Sequence, residues 1–89
     1  MVYIIIRMEV DDYDNWRKVF DNDVNFRKSG GEKSVQVFRG VKNPNEVVFV
    51  REWESLEKWK QFLSVKVAEE KGKKAGVRGE PVIYILEKD

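Results

Sequence analysis

The chain has 89 residues, 37% of them charged and 42% hydrophobic, and its 17 Lys+Arg against 16 Asp+Glu leave a net charge of +1. It contains no Cys and no His, which excludes disulfides, thiol nucleophiles, thiolate zinc sites, His-ligated haem and any Ser-His-Asp triad. Its chemistry must come from carboxylates, Lys, Arg, Tyr, Trp and backbone, and no metal or cofactor is expected.

Val2 to Val10 is an apolar, β-branched run and reads as a strand. Asp11 and Asp12 follow as N-cap candidates. Tyr13, Trp16, Phe20 and Val24 then recur at spacings of three and four, with Val19 beside them, which predicts one helix ending at Gly30-Gly31. Ser34 to Gly40 reads as a second strand, Asn43-Pro44-Asn45 as a turn, and Val47 to Trp53 as a third strand, so strands two and three form a hairpin. Ser55 is the next N-cap candidate, with Glu57 in the first turn. Leu56, Trp59, Phe62 and Leu63 share a face of the helix that follows. Ser64 reads as a second cap and break. A Lys/Glu-rich helix then runs to about Ala75, weakened by Gly72 and ended by Gly76 and Gly79. Pro81 opens the last strand, Val82 to Leu86.

The order is strand, helix, strand, strand, helix, strand. It predicts a single α+β domain over residues 1–89 with the ferredoxin-like βαββαβ arrangement. Four antiparallel strands form the sheet, with helices on one face. The first strand is apolar in both phases: Val2, Ile4, Ile6 and Met8 in one, Tyr3 and Ile5 in the other. The third strand repeats this with Val47 and Phe49 against Val48 and Val50. A sheet with one solvated face alternates apolar and polar residues. Helices cover one face here, so the other needs a partner, and a second copy of the chain is the simplest. A chain this short also gains from association, because small domains bury a smaller share of their surface.

The apolar start, Met1 to Arg7, is too short for a signal peptide, and no stretch approaches the length of a membrane span. The expected location is the cytoplasm. The Lys/Glu bias resembles hyperthermophile usage. The balanced charge speaks against a nucleic-acid partner, and the third strand lacks the glycines and paired aromatics of an RNA-recognition domain.

Several stretches together carry a resemblance: Val10-Asp11-Asp12-Tyr13-Asp14-Asn15-Trp16, Asn43-Pro44-Asn45-Glu46-Val47-Val48, Glu52-Trp53-Glu54-Ser55, Phe62-Leu63-Ser64, Lys74-Ala75-Gly76-Val77 and Pro81-Val82-Ile83-Tyr84. They resemble the small dimeric α/β-barrel superfamily, the antibiotic-biosynthesis-monooxygenase-like proteins. The resemblance implies a homodimeric α/β barrel in which two ferredoxin-like subunits pack sheet against sheet. It also implies a pocket between sheet and helices or within the barrel. Characterised members of the group include cofactor-free monooxygenases acting on aromatic polyketides, haem-degrading enzymes, isomerases and cyclases. The haem-degrading members use a His, which this chain lacks.

The candidate site residues are Tyr3, Arg7, Trp16, Phe38, Arg51 and Trp53. Arg7, Arg39 and Arg51 lie within or at the end of strands, where an unpaired guanidinium is costly. They either hold a planar anion such as a carboxylate, phenolate or enolate, or pair with Glu9 or Glu52. Tyr3 shares a strand phase with Arg7 and would hydrogen-bond the same molecule. Trp16, Trp53 and Phe38 would wall the pocket, or else pack as core. Trp59 sits on a helix face and reads as core. The acidic residues from Asp11 to Asp23 lack the spacing of a calcium loop, and the Lys66–Arg78 cluster reads as a solvated face. The expectation is a homodimer binding a hydrophobic, partly anionic small molecule, either as a cofactor-independent monooxygenase-like or cyclase-like enzyme or as a non-catalytic binding or dimerisation module.

Overall fold

The computed structural model describes the backbone of residues 1–69 and 77–89, and the side chains of residues 1–65 and 78–89. The elements are β1 (Val2–Val10), α1 (Tyr13–Asn22), α2 (Val24–Gly30), β2 (Glu32–Arg39), β3 (Glu46–Trp53), α3 (Leu56–Glu69) and β4 (Val77–Glu87). The strands form one antiparallel sheet in the order β2-β3-β1-β4. The helices lie on one face of it, so the arrangement is ferredoxin-like. None of the described helices is long and apolar enough to cross a membrane.

Side-chain alternation builds the core. Val2, Ile4, Ile6, Met8 and Val10 of β1 are buried on the helix side, as are Val47, Phe49 and Trp53 of β3. Trp16 and Phe20 of α1 pack on them, and so do Trp59 and Phe62 of α3. The rings meet closely: Trp16 stacks on Phe20 with centroids 4.9 Å apart, and Trp53 lies 4.8 Å from Phe62. Offset and tilted pairs of this kind add to the burial itself.

Local chemistry sets the boundaries. The Asp12 carboxylate accepts from the backbone N–H of Asp14 at 3.0 Å and starts α1. Ser55 Oγ accepts from Lys58 N–H at 3.1 Å and starts α3. In the β2–β3 turn, Asn43 Oδ1 accepts from Asn45 N–H at 3.0 Å, the local bond that makes Asn a turn former.

The structure corrects three expectations. The predicted single helix is two, because Asp23 leaves the helical ladder: its N–H turns back to Phe20 O at 3.2 Å, and Arg27 N–H restarts the ladder on Asp23 O at 2.9 Å. The break redirects α2 and carries Arg27 into the core. Secondly, α3 runs through Ser64 without a break. Thirdly, β4 begins at Val77, not Pro81, and Gly79 lies in the strand, not at a helix end. The pairing jumps from Arg7↔Val82 to Glu9↔Arg78, so residues 79–81 bulge opposite Met8. That bulge holds Gly79 at φ +66 and the donor-less Pro81, both of which a bulge accepts. The helix expected around Gly72 to Gly76 lies outside the described residues.

The second face of the sheet carries Tyr3, Ile5 and Arg7 of β1, Val48 and Val50 of β3, Phe38 of β2, and Val82, Tyr84 and Leu86 of β4. Every residue from Val82 to Leu86 is at least 41% exposed, so the edge strand shows apolar side chains in both phases.

Ile4 is fully buried on the central β1, whereas Val41 is fully exposed in the β2–β3 connection. Ile4→Ala should cost about 2–5 kcal/mol in urea unfolding, the usual cost of emptying a core site, while Val41→Ala should stay within about 0.5 kcal/mol of the parent. Similar losses at the two positions would contradict this core.

Candidate functional site

Three charged side chains lie inside the sheet–helix layer. Arg27 comes from α2, Glu32 from the first position of β2 and Arg51 from the inward phase of β3. The chain reverses between α2 and β2 at Gly31, whose φ of +123 strains any side-chain-bearing residue. A Cβ there would also come within 3.3 Å of Lys58 and Trp53. This tight reversal turns Glu32 inward.

Glu32 is shared. Arg27 Nε donates to its Oε1 at 3.0 Å, and Arg51 Nε donates to its Oε2 at 3.1 Å. Arg27 also donates through Nη1 to the Phe20 carbonyl, and its guanidinium lies 3.7 Å from the Phe20 ring centroid. The guanidinium of Arg51 lies 5.1 Å from the Phe49 ring and 5.7 Å from that of Trp53. Exposures are 3% for Arg27, 6% for Glu32 and 7% for Arg51, and these are the buried charged residues among those described. Two cations therefore share one anion. Burial pushes Arg51 down to about 10; the Glu32 carboxylate opposes that shift and the Arg27 charge adds to it.

Two more donors sit in the same layer. Trp53 is 0% exposed and Trp59 4%, and the indole Nε1–H of each is buried with no hydrogen-bond partner among the described residues. Buried polar groups are almost always paired, so both are groups in want of an acceptor. A crevice of about 280 Å³ opens between α2 and α3, walled by Phe26, Gly30, Phe62 and Val65 with Ser29, Lys58 and Gln61 at its rim. Phe62 lines this crevice and also packs on Trp53, so one ring joins crevice and charged layer.

The candidates predicted from sequence divide between the two faces. Trp16, Arg51 and Trp53 lie in the sheet–helix layer. Tyr3, Arg7 and Phe38 lie on the opposite face, by their pairing with Glu52, Val48 and again Val48. Arg7 and Arg51 therefore cannot hold one anion within a single chain, and Phe38, at 53% exposure, does not wall a pocket with Trp16 and Trp53. Each strand arginine has a partner, though not the expected ones. Arg7 pairs with Glu46 at 2.8 Å, Arg51 with Glu32, and Arg39 lies over the Tyr13 ring while donating to the Pro44 carbonyl at 3.0 Å. Glu9 instead accepts from Asn43, and Glu52 from Ser34 and from the Tyr3 hydroxyl at 3.2 Å. The Glu52 charge pushes the Tyr3 hydroxyl above its usual range, with a smaller contribution from burial. Tyr3, Ile5, Val50 and Leu86 floor a shallow groove of about 300 Å³ on this face, with Glu87 and Lys88 beside it.

Sequence reasoning did not single out Arg27 or Glu32. A signal existed for the first: Arg27 continues the stripe Trp16, Phe20, Val24, so a charge occupies an apolar phase.

Removing the shared anion should be the most damaging change in this layer. Glu32→Gln leaves two buried guanidiniums without a carboxylate and should cost about 3–5 kcal/mol in urea unfolding. Arg51→Met should cost less, because Glu32 keeps Arg27. The reverse order would refute the shared-carboxylate arrangement.

Among the described residues no group of acidic side chains is placed to hold a metal ion. No curated protein matches the chain significantly. Solved structures do match in fold. SnoaB, a cofactor-independent oxygenase from Streptomyces nogalater, superposes with a TM-score of 0.76 at 15% identity, covering 99% of this chain and 94% of that one. A mutant of MhuD with two manganese protoporphyrin IX bound per active site gives 0.75 at 23% identity, covering 99% and 94%. A conserved protein from Methanosarcina mazei Go1 gives 0.73 at 13% identity, covering 99% and 92%. Neither an imidazole nor a thiolate is present in this chain to ligate the metal of such a porphyrin. The family model for antibiotic biosynthesis monooxygenase matches residues 1–70. With that match over most of its length and the same sheet and helix layer, the chain belongs to the antibiotic biosynthesis monooxygenase family.

Proposed function

We propose that this chain works as a homodimer and binds a hydrophobic, partly anionic small molecule against the sheet–helix layer, on which it carries out oxygenase chemistry without a cofactor. The observation that carries this is the pair of buried indole donors, Trp53 Nε1–H and Trp59 Nε1–H, which have no partner among the described residues, the first of them packed on the Phe62 ring. A flat, oxygen-bearing molecule supplies the acceptor they lack and the face that rings stack on. Preorganised donors of this kind also stabilise negative charge as it develops on a substrate oxygen.

The chemistry suits a chain without His or Cys. An enolisable aromatic ketone, once deprotonated, is its own reductant. When a ring CH2 becomes C=O, one atom of O2 enters the product and the other leaves with the two hydrogens as water. The protein has to bind, orient and stabilise the anion.

The dimer draws on the apolar second face, where Ile5, Val48, Val50, Val82, Tyr84 and Leu86 adjoin one another. Contiguous apolar surface of this sort marks an interface, and sheet-on-sheet packing buries it. Tyr3, Arg7 and Phe38 would then lie at the subunit boundary. The pairing of every strand arginine within the chain favours a second reading, a dimerisation module without turnover.

Two measurements separate these. Sedimentation should show a dimer, and Val50→Lys on the second face should shift it to monomer. Oxygen uptake with anthrone, in chelator-treated buffer, should exceed the protein-free rate and yield anthraquinone. A dimer with no uptake would favour the module. A monomeric parent would sink the sheet-to-sheet assembly.

A further inference from the structure

Resting on the binding site just proposed, we infer that Arg27, Glu32 and Arg51 form a carboxylate subsite, and that the molecule it takes is a flat aromatic acid entering by the crevice between α2 and α3. Two buried guanidiniums face one buried carboxylate, so the described part of the layer holds one uncompensated positive charge. An isolated buried charge is costly, and a second anion offsets it.

The guanidiniums also have donors to spare. Arg27 spends Nε on Glu32 and Nη1 on the Phe20 carbonyl. Arg51 gives its Nε to Glu32 at 3.1 Å. A guanidinium carries five N–H donors in a planar fork that fits a carboxylate bidentately. Arg51 therefore has terminal donors to give while Glu32 stays on Arg27. The indole N–H groups of Trp53 and Trp59, without a partner among the described residues, supply neutral donors in the same layer.

The crevice leads toward this layer. The Phe62 ring lies 5.9 Å from the Arg51 guanidinium and lines the crevice. Arg51 itself does not line the crevice; an aromatic acid seated there stacks on Phe26 and Phe62, and its carboxylate meets Arg51 once the Phe62 ring between them turns aside. Gly30 leaves the room for Phe62: a Cβ at that position would come within 2.8 Å of Phe62 Cδ1.

The test uses two probes of the same shape on the full chain, 2-naphthoate and the neutral 2-naphthamide, followed by calorimetric titration. Naphthoate should bind at least tenfold more tightly. Arg51→Met should abolish that preference, and Lys58→Gln at the crevice rim should keep it. Glu32→Gln should melt lower than the parent and recover most of the loss when naphthoate is added. If that variant does not fold, the two probes on the parent protein decide. Equal binding of both probes would overturn the carboxylate subsite and leave the aromatic site standing. A preference that follows Lys58 instead of Arg51 would overturn it too. Binding of neither probe would overturn the subsite together with the function proposed above.

Discussion

A single carboxylate organises the helix layer of this protein. Glu32 lies at the start of β2 and takes one guanidinium on each oxygen, Arg27 from α2 and Arg51 from β3. Strand, helix and neighbouring strand are tied at one point inside an aromatic layer. Burial makes that tie directional. Charges in a low-dielectric layer interact strongly and are expensive to leave unpaired, so α2 cannot slide or turn without stranding Arg27. The break at Asp23 and the left-handed Gly31 make sense as the geometry that brings Arg27 and Glu32 face to face over five residues.

The same arrangement connects fold to function. An apolar layer would have been enough to hold helices on the sheet. Among its described residues this one buries two cations on one anion and two indole donors without acceptors. Such groups cost stability unless a ligand completes them, and sites built to act keep costs of this kind. The second face of the sheet differs in character. Its charged residues are paired near the surface, as Arg7 is with Glu46, and its centre is apolar. One face buries its charges among aromatic rings, and the other keeps them at its margin around an apolar centre.

Much of this was legible in the sequence, and the reasons for the gaps are physical. The four strands and the order of the elements followed from periodicity, because a two-faced apolar strand such as β1 leaves a plain pattern. Asp12 and Ser55 were legible as caps because capping is local. The break at Asp23 was not, since Val24 falls on the same stripe whether the helix bends or not. The bulge of residues 79–81 was hidden because Gly and Pro read as a helix stop and a strand start when no partner strand is known. The candidate site was half legible. Arg51 and Trp53 were found as strand residues of unusual type. Arg7 and Phe38 were grouped with them, because a sequence shows strand phase but not which phase of one strand shares a face with which phase of the next. Register settled that: Arg7 faces with Val48 and Phe38, and Arg51 with Ile4. Arg27 and Glu32 were missed because their partnership depends on a reversal that only the fold displays.

Whether two buried arginines share Glu32 can be read from nitrogen-resolved NMR of the arginine Nε–H groups. At neutral pH exposed guanidinium protons exchange rapidly with water, whereas buried, carboxylate-bonded ones persist. Two long-lived Nε–H signals should assign to Arg27 and Arg51, and both should shift together in Glu32→Gln or Glu32→Asp. Fast exchange at both arginines, or signals that respond to Glu32 at one arginine alone, would contradict that sharing.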